Sequence, residues 1–183
     1  MIYKFRLISS EVDDFVMEIS VDSTDTFLTL HQFIQEKLGY DPSQMASFFS
    51  TDHQWNKETE ITLLDMMDTE NPNLVVMEKA MIADYIQSVK QRLLYVFDFF
   101  NERAFFMEVC GFEEGMLDDP VCDRTIGNPP TQIEMDGMMA DDASFNDEFE
   151  TEEELDDFFS NHDSFEDESD LEDLGLDIYK DEY

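Results

Sequence analysis

The residues LLYVFDFFNERAFFMEV (93–109) contain two runs that are rich in aromatic and β-branched side chains. The runs cover residues 93–99 and 104–109, and a short connection, residues 100–103, joins them. Side chains of this kind favour extended strands, and two such runs with a short connection are typical of a β-hairpin. This predicted hairpin is the strongest structural signal in the chain.

A second hairpin is predicted at the N-terminus. Residues 3–7 alternate apolar and basic side chains, residues 15–21 alternate mostly apolar and polar ones, and a polar turn separates the two runs. Alternate side chains of a strand share one face, so the two strands form one apolar face. The apolar positions are Tyr3, Phe5, Leu7, Phe15, Met17, Ile19 and Val21.

A helix is predicted directly after this hairpin, and it would cover the apolar face. The apolar residues at helical spacing are Phe27, Leu30, Ile34 and Leu38. Asp25 or Thr26 can cap the N-terminus of the helix, and Gly39 suits the left-handed position at its C-terminus.

The middle of the chain has weaker signals. We predict a short third strand over residues 45–51, a polar connection over 52–60 and a short helix or turn over 61–67. A loop over residues 69–73 and a second short helix over 81–89 follow. The predicted fold class is therefore α+β, with a small mixed or antiparallel sheet, covering helices and the order hairpin, helix, strand, helix, hairpin.

Charge divides the chain into two parts. The net charge is −36, and residues 134–183 contain 22 of the 46 acidic side chains but a single basic one, Lys180. High net charge with low hydrophobicity is typical of disorder. We therefore predict a domain over residues 1–132 and a disordered acidic tail over residues 133–183.

The acidic tail also contains apolar residues at intervals. The fragments SFNDE (144–148) and SFEDE (164–168) resemble each other, and TEEELDDFF (151–159) can form a short helix. Alternation of acidic and hydrophobic residues is typical of interaction tails that fold on a partner. The predicted anchors in this tail are Leu155, Phe158 and Phe159.

The same charge restricts the classes of partner. A strongly negative field repels phosphate backbones and anionic lipids, so we expect neither direct nucleic-acid binding nor membrane binding. A protein with a basic surface is the expected partner. The N-terminal residues 1–14 lack the apolar core of a signal peptide, and no apolar run approaches the roughly 20 residues of a membrane helix, so we expect a cytoplasmic protein.

The sequence predicts no cofactor and no metal site. Cys110 and Cys122 are the two cysteines, and their spacing fits neither a disulfide framework nor a zinc motif. Phosphate-binding glycine loops, nucleophile elbows and zinc or calcium motifs are not found in the sequence.

Several strings resemble the plasmid pRiA4b ORF-3-like family, whose members are also described as TnpR-like passenger proteins of insertion elements, in the form found in Bacteroidetes. The strings are IYKFRL (2–7), LTLHQFIQEKLGY (28–40), ASFFSTDHQWNKETEITLLDM (46–66), LLYVFDFFNERAFFMEV (93–109) and PVCDRTIGNPPTQ (120–132). This resemblance covers about residues 1–132 and implies a small α+β fold without an established activity.

The resemblance also identifies a difference in the last hairpin. The family form has a Tyr-Asp-Phe-Gly-Asp string there, and this chain has Phe97, Asp98, Phe99, Phe100 and Asn101. Asp98 is retained, but the glycine and the second aspartate are replaced. This difference argues against a mechanism that needs two carboxylates in the hairpin.

Four residues of the domain are candidates for a binding site. His31 matches the family Leu-His string, and it is interpreted first as a hydrogen-bonded residue at the border of the core. Asp98 is the retained family residue, Arg103 belongs to a possible basic strip, and Trp55 marks either a contact surface or the core.

Three functions follow as hypotheses. The leading one is a non-enzymatic interaction or mobile-element accessory protein, in which the domain is a scaffold and the acidic tail binds the partner. One alternative is a small hydrolase-like enzyme that uses His31 and Asp98, which would have to converge in one pocket. The other is a nucleic-acid mimic that occupies the basic DNA-binding surface of a partner. The sequence leaves the oligomeric state open.

Overall fold

The structure is a computed structural model, and it describes residues 1–64 and 74–132. Eight strands and two helices occur in this part of the chain. In chain order they are β1 (Ile2–Ser9), β2 (Val16–Asp22), α1 (Phe27–Leu38), β3 (Ser47–Thr51), β4 (Lys57–Thr62), β5 (Leu74–Val76), α2 (Ile82–Tyr85), β6 (Arg92–Asp98), β7 (Arg103–Glu113) and β8 (Val121–Ile126).

All eight strands belong to one sheet with the order β5-β4-β3-β6-β7-β1-β2-β8. Neighbouring strands are antiparallel except β4 and β5, which are parallel. The N-terminal strand β1 lies between β2 and β7, so the two predicted hairpins are joined edge to edge. Both predicted hairpins are confirmed, with Phe5 opposite Ile19 in one and Leu93 opposite Met107 in the other.

The predicted fold class, an α+β fold with a small sheet and covering helices, is wrong. We expected a small sheet with several covering helices, and the chain instead forms one large mixed sheet with helices of 12 and 4 residues. Residues 57–62 were predicted mainly as a polar connection and form β4, and residues 121–126 form β8 at the opposite edge. Five of the six residues of β4 are polar, and β8 has three polar and three apolar residues without strict alternation, so neither shows a clear apolar face.

Helix α1 forms as its sequence predicts. The Thr26 hydroxyl accepts a hydrogen bond from the Thr29 backbone N–H at 3.2 Å, and Gly39 has the left-handed φ of 69°. Glycine adopts that conformation at little cost, so the helix ends there. The second helix is much shorter than the predicted residues 81–89.

The sheet has a first face, on which α1 packs, and a second face opposite. The core on the first face combines alternate residues of the strands with the apolar side of α1, including Phe27, Leu30 and Ile34. The strand residues of this core include Phe5, Leu7, Met17, Ile19, Val21, Phe48, Ile61, Leu93, Tyr95, Phe97, Phe105, Met107 and Val109. Among the described residues, no helix is both long and apolar enough to cross a membrane.

Candidate functional site

The turn between β6 and β7 is held by the side chain of Asp98. Its Oδ1 accepts hydrogen bonds from the backbone N–H groups of Phe100 at 3.0 Å and Asn101 at 3.2 Å. The Asn101 amide donates to Asp98 Oδ2 at 2.8 Å. An aspartate at position 101 could not donate this bond and would repel Asp98, which gives a physical reason for the difference from the family string. The fixed turn presents Phe99 and Phe100, whose exposed fractions are 43% and 91%.

Arg103 joins this turn to the rest of the domain. Its guanidinium donates to both carboxylate oxygens of Glu11, at 2.9 Å from Nε to Oε1, and lies 3.8 Å from Asp98 Oδ2. It also lies 5.0 Å above the Phe97 ring. The Arg103 side chain is only 8% exposed, so two-point pairing with Glu11 compensates for the removal of its charge from water.

The last described residues pass close to Arg103. The Gln132 backbone carbonyl accepts from Arg103 at 3.2 Å, and the Gln132 amide bonds the backbone of Asp41 twice, accepting at 2.6 Å and donating at 3.1 Å. The Tyr40 hydroxyl donates to the Pro130 carbonyl at 2.6 Å. The segment that leads out of the described domain is therefore fixed beside the β6–β7 turn.

A cavity of about 360 Å³ lies at this point. Its lining residues are Gln44, Met45, Phe97, Asp98, Phe99, Phe100, Asn101 and Gln132. Four of the eight lining side chains are apolar, three of them aromatic, and Asp98 is the ionisable member of the lining. A cavity of this kind can accept an apolar side chain beside a carboxylate.

His31 lies in the core and not in this cavity. Its side chain is buried, and the Tyr95 hydroxyl lies 2.8 Å from His31 Nδ1 and receives a hydrogen bond from the Gln35 amide at 2.7 Å. Because Gln35 already donates to the Tyr95 oxygen, we assign the phenol proton to the bond with Nδ1, and this assignment places the proton of the neutral imidazole on Nε2. Burial lowers the pKa of His31 to about 4, so the imidazole is neutral at pH 7.

The structure supports the hydrogen-bonded core interpretation of His31. It does not bring His31 and Asp98 into one pocket, because Asp98 lines the cavity, whereas the side chain of His31 lies between α1 and the sheet. Within the described residues, the two are linked through intermediates. The Gln132 amide lies 3.4 Å from Gln35 Oε1, so a polar chain runs from His31 through Tyr95, Gln35 and Gln132 to Arg103, which lies 3.8 Å from Asp98 Oδ2.

Trp55 lies on the other side of the sheet. It occupies the β3–β4 turn with a positive φ of 61°, and its ring packs edge-on against Phe106 with centroids 4.8 Å apart. The Arg92 guanidinium lies 5.0 Å from the indole. Of the four candidates in the domain, only Asp98 and Arg103 come together, because Trp55 lies on the second face and His31 in the core of the first.

Sequence reasoning missed several members of the site, namely Glu11, Gln35, Tyr40, Tyr95 and Gln132. Gln35 could have been predicted from the sequence, because it follows His31 by four residues and so lies next to it on the buried side of α1. The tail anchors Leu155, Phe158 and Phe159 lie outside the described residues. Cys110 and Cys122 are free thiols, and the described part of the chain contains no group of three or more acidic, histidine or cysteine side chains arranged for a metal ion.

At one end of the sheet the structure combines an exposed aromatic turn, a small cavity and a buried ion pair. The chain belongs to the plasmid pRiA4b ORF-3-like family, because the family model matches residues 7–168. This match extends past residue 132 into the acidic tail, further than the resemblance seen in the sequence strings.

One similar solved structure is that of MM3350 from Methanosarcina mazei Go1, described as a protein of unknown function. It shares 22% sequence identity with this chain, covers 68% of each chain and has a TM-score of 0.52. At this identity the likeness concerns the fold alone. No curated protein matches the chain.

Proposed function

We propose that this protein is a non-catalytic cytoplasmic interaction protein, in which the domain is the scaffold and the acidic tail binds a partner with a basic surface. The charge distribution carries this proposal. The net charge is −36, and several described basic groups are paired with carboxylates, among them Lys4 with Glu113 at 2.9 Å and Arg103 with Glu11. Pairing removes much of the positive charge from the surface, so the excess carboxylates dominate the field.

The exposed aromatic turn supports a second, apolar component of binding. Phe100 is 91% exposed beside the cavity, and Gln132, the last described residue, lines the same cavity. Asp41 and Glu102 lie exposed nearby. A basic partner segment with an apolar side chain would therefore meet an aromatic anchor, a carboxylate rim and the start of the acidic tail at one place.

An affinity capture from cell lysate tests this function, with the full-length protein as bait at 50 and 500 mM salt. We expect the captured proteins to be basic and to be released at 500 mM, because screening weakens exposed charge pairs. Capture of the same proteins at both salt concentrations, or of proteins without a basic surface, would contradict the proposal.

Replacing the exposed anchor separates the apolar component from charge. Phe100→Ser should speed dissociation of the captured partner about tenfold, the equivalent of roughly 1.4 kcal/mol, while the association rate changes little. Met116→Ser is the matched control, because Met116 is 81% exposed and does not line the cavity. Surface plasmon resonance measures both rates, and equal dissociation of the two variants would show that the turn is not part of the interface.

A mobile-element accessory role is the more specific form of this proposal. The resemblance to TnpR-like passenger proteins supports it, and an acidic tail with the charge of a nucleic acid would occupy a DNA-binding surface of the partner. Duplex DNA should then displace the captured partner in competition. If the partner binds DNA and this protein at the same time, the hypothesis of nucleic-acid mimicry is contradicted.

A further inference from the structure

The turn between β6 and β7 presents two aromatic rings beside the cavity. Phe99 and Phe100 are 43% and 91% exposed, and both line that cavity. Among the described residues, neither ring pairs with another aromatic ring or with a basic side chain. Lys57, in contrast, lies over the Phe49 ring at 4.7 Å, a contact that attracts a cation to the face of a ring. The rings of the turn are therefore accessible to a ligand in the cavity.

The acceptor atoms of the cavity lining are largely bonded within the domain. A carboxylate has about four acceptor positions, and three of those of Asp98 are filled by two backbone N–H groups of the turn and by the Asn101 amide. The Arg103 guanidinium lies 3.8 Å from Asp98 Oδ2. Gln132 Oε1 accepts from the Asp41 backbone N–H at 2.6 Å. Asp98 therefore offers a ligand its negative charge rather than a hydrogen-bond acceptor.

The charge beside the cavity is negative. Arg103 lies close to Asp98, but its guanidinium is bound at two points by Glu11. The cluster of Glu11, Arg103 and Asp98 thus contains two carboxylates and one guanidinium, and it keeps an excess of negative charge. Glu102, in the same turn, is exposed and adds a further carboxylate. A cation is attracted to this end of the sheet, and an anion is repelled.

The kind of cation follows from the combination of negative charge, aromatic rings and occupied acceptors. A lysine ammonium group has three N–H donors and a guanidinium has five, and a desolvated donor without an acceptor costs free energy. A quaternary ammonium group has no N–H donor, so it requires only a negative field and close apolar contact. Aromatic rings supply that contact and attract the cation through their π-electrons. Phe99, Phe100 and Asp98 provide these features in one lining.

We propose that the cavity beside the β6–β7 turn binds the quaternary ammonium group of a small molecule, with Phe99 and Phe100 against its methyl groups and Asp98 supplying the negative charge. The cavity volume of about 360 Å³ is at the lower end of the range for small-molecule sites, which suits a compact ligand of the size of choline. The hydrogen bonds of Asp98 already fix the turn, so binding has little backbone to order.

This inference goes beyond the proposed function, because it concerns a small ligand and requires no partner protein. The two meet at one point. A ligand in the cavity would compete with the apolar side chain of a partner, and only this consequence rests on the proposed function. Titration of the protein alone therefore tests the ligand site, whereas the salt-dependent capture tests the partner, so failure of one is distinguished from failure of the other.

An NMR titration of the full-length protein with choline tests the site. The backbone amide signals of Phe100 and Asn101 report on it, because both N–H groups bond to Asp98. We expect these signals to shift in a saturable manner. Dimethylbutanol, the uncharged carbon isostere of choline, and ethanolamine, a cation with N–H donors, should each bind about fivefold or more weakly. Equal binding of either compound, or no saturable shift with choline, would overturn the proposal.

Replacing both rings of the turn by leucine removes the aromatic faces and keeps apolar side chains. Phe99→Leu with Phe100→Leu should weaken choline binding about fivefold or more, measured at the Asn101 amide signal. Phe112→Leu is the matched control, because Phe112 is 38% exposed at the far end of β7 and does not line the cavity. Equal choline binding by the folded double variant and this control would overturn the proposal. If the double variant does not fold, the comparison of the three compounds on the wild type decides.

Discussion

Replacement of Arg103 by methionine should lower the free energy of unfolding by about 3 kcal/mol, and the melting temperature by roughly 10 °C. The reason is that the Arg103 guanidinium lies close to two carboxylates, those of Glu11 and Asp98. The Glu11 side chain is 23% exposed and that of Asp98 is 13% exposed, so both lose their nearby cation in a poorly solvated position. The Gln132 carbonyl also loses a donor.

Lys37→Met is the matched control for this change. Lys37 pairs with Glu36 at 3.2 Å, but the two side chains are 40% and 73% exposed, and pairs of this kind contribute roughly 0 to 1 kcal/mol. Combining Arg103→Met with Glu11→Leu should recover part of the loss, because an apolar pair leaves one carboxylate fewer unpaired. Urea denaturation of the four chains measures the effect, and a loss below about 1 kcal/mol for Arg103→Met would contradict this account of the site.

The fold could be predicted from sequence where one side of a strand or helix is apolar. Both hairpins and α1 were found because their apolar residues repeat with the period of the element, and the caps at Thr26 and Gly39 follow local rules. Strand β4 has polar residues at most positions and gains its structure from hydrogen bonds to β3. Its formation therefore depends on a neighbour that no local pattern identifies.

The site was harder to predict for a related reason. Arg103 was recognised as a candidate, but its main partner, Glu11, is 92 residues away in the chain, and Gln132 is 29 residues away. Strand order brings these positions together, because β1 lies between β2 and β7. The strand order cannot be read from a single sequence. Arg103 could therefore be recognised as a candidate, whereas its buried ion pair with Glu11 could not be predicted.

His31 leads to a second large effect, on the dependence of stability on pH. An unfolded histidine titrates near pH 6.5, whereas burial lowers the pKa of folded His31 to about 4. Between these values the unfolded chain binds a proton that the folded chain excludes, so stability rises with pH. From pH 7.5 down to pH 5.0, His31 should therefore cost the wild-type domain about 2 kcal/mol of unfolding free energy.

His31→Gln isolates this contribution, because all other titrating groups are shared with the wild type. The glutamine carbonyl can still accept the Tyr95 hydroxyl, so the variant should be about 1 kcal/mol less stable than the wild type at pH 7.5. At pH 5.0 the order should be reversed, with the variant about 1 kcal/mol more stable, because glutamine takes up no proton. The control is His53→Gln, which replaces an exposed histidine of the β3–β4 turn and should keep the wild-type pH dependence. Urea denaturation at both pH values decides: if His31→Gln and the wild type lose stability in parallel, the imidazole is not a buried neutral acceptor of the Tyr95 hydrogen bond.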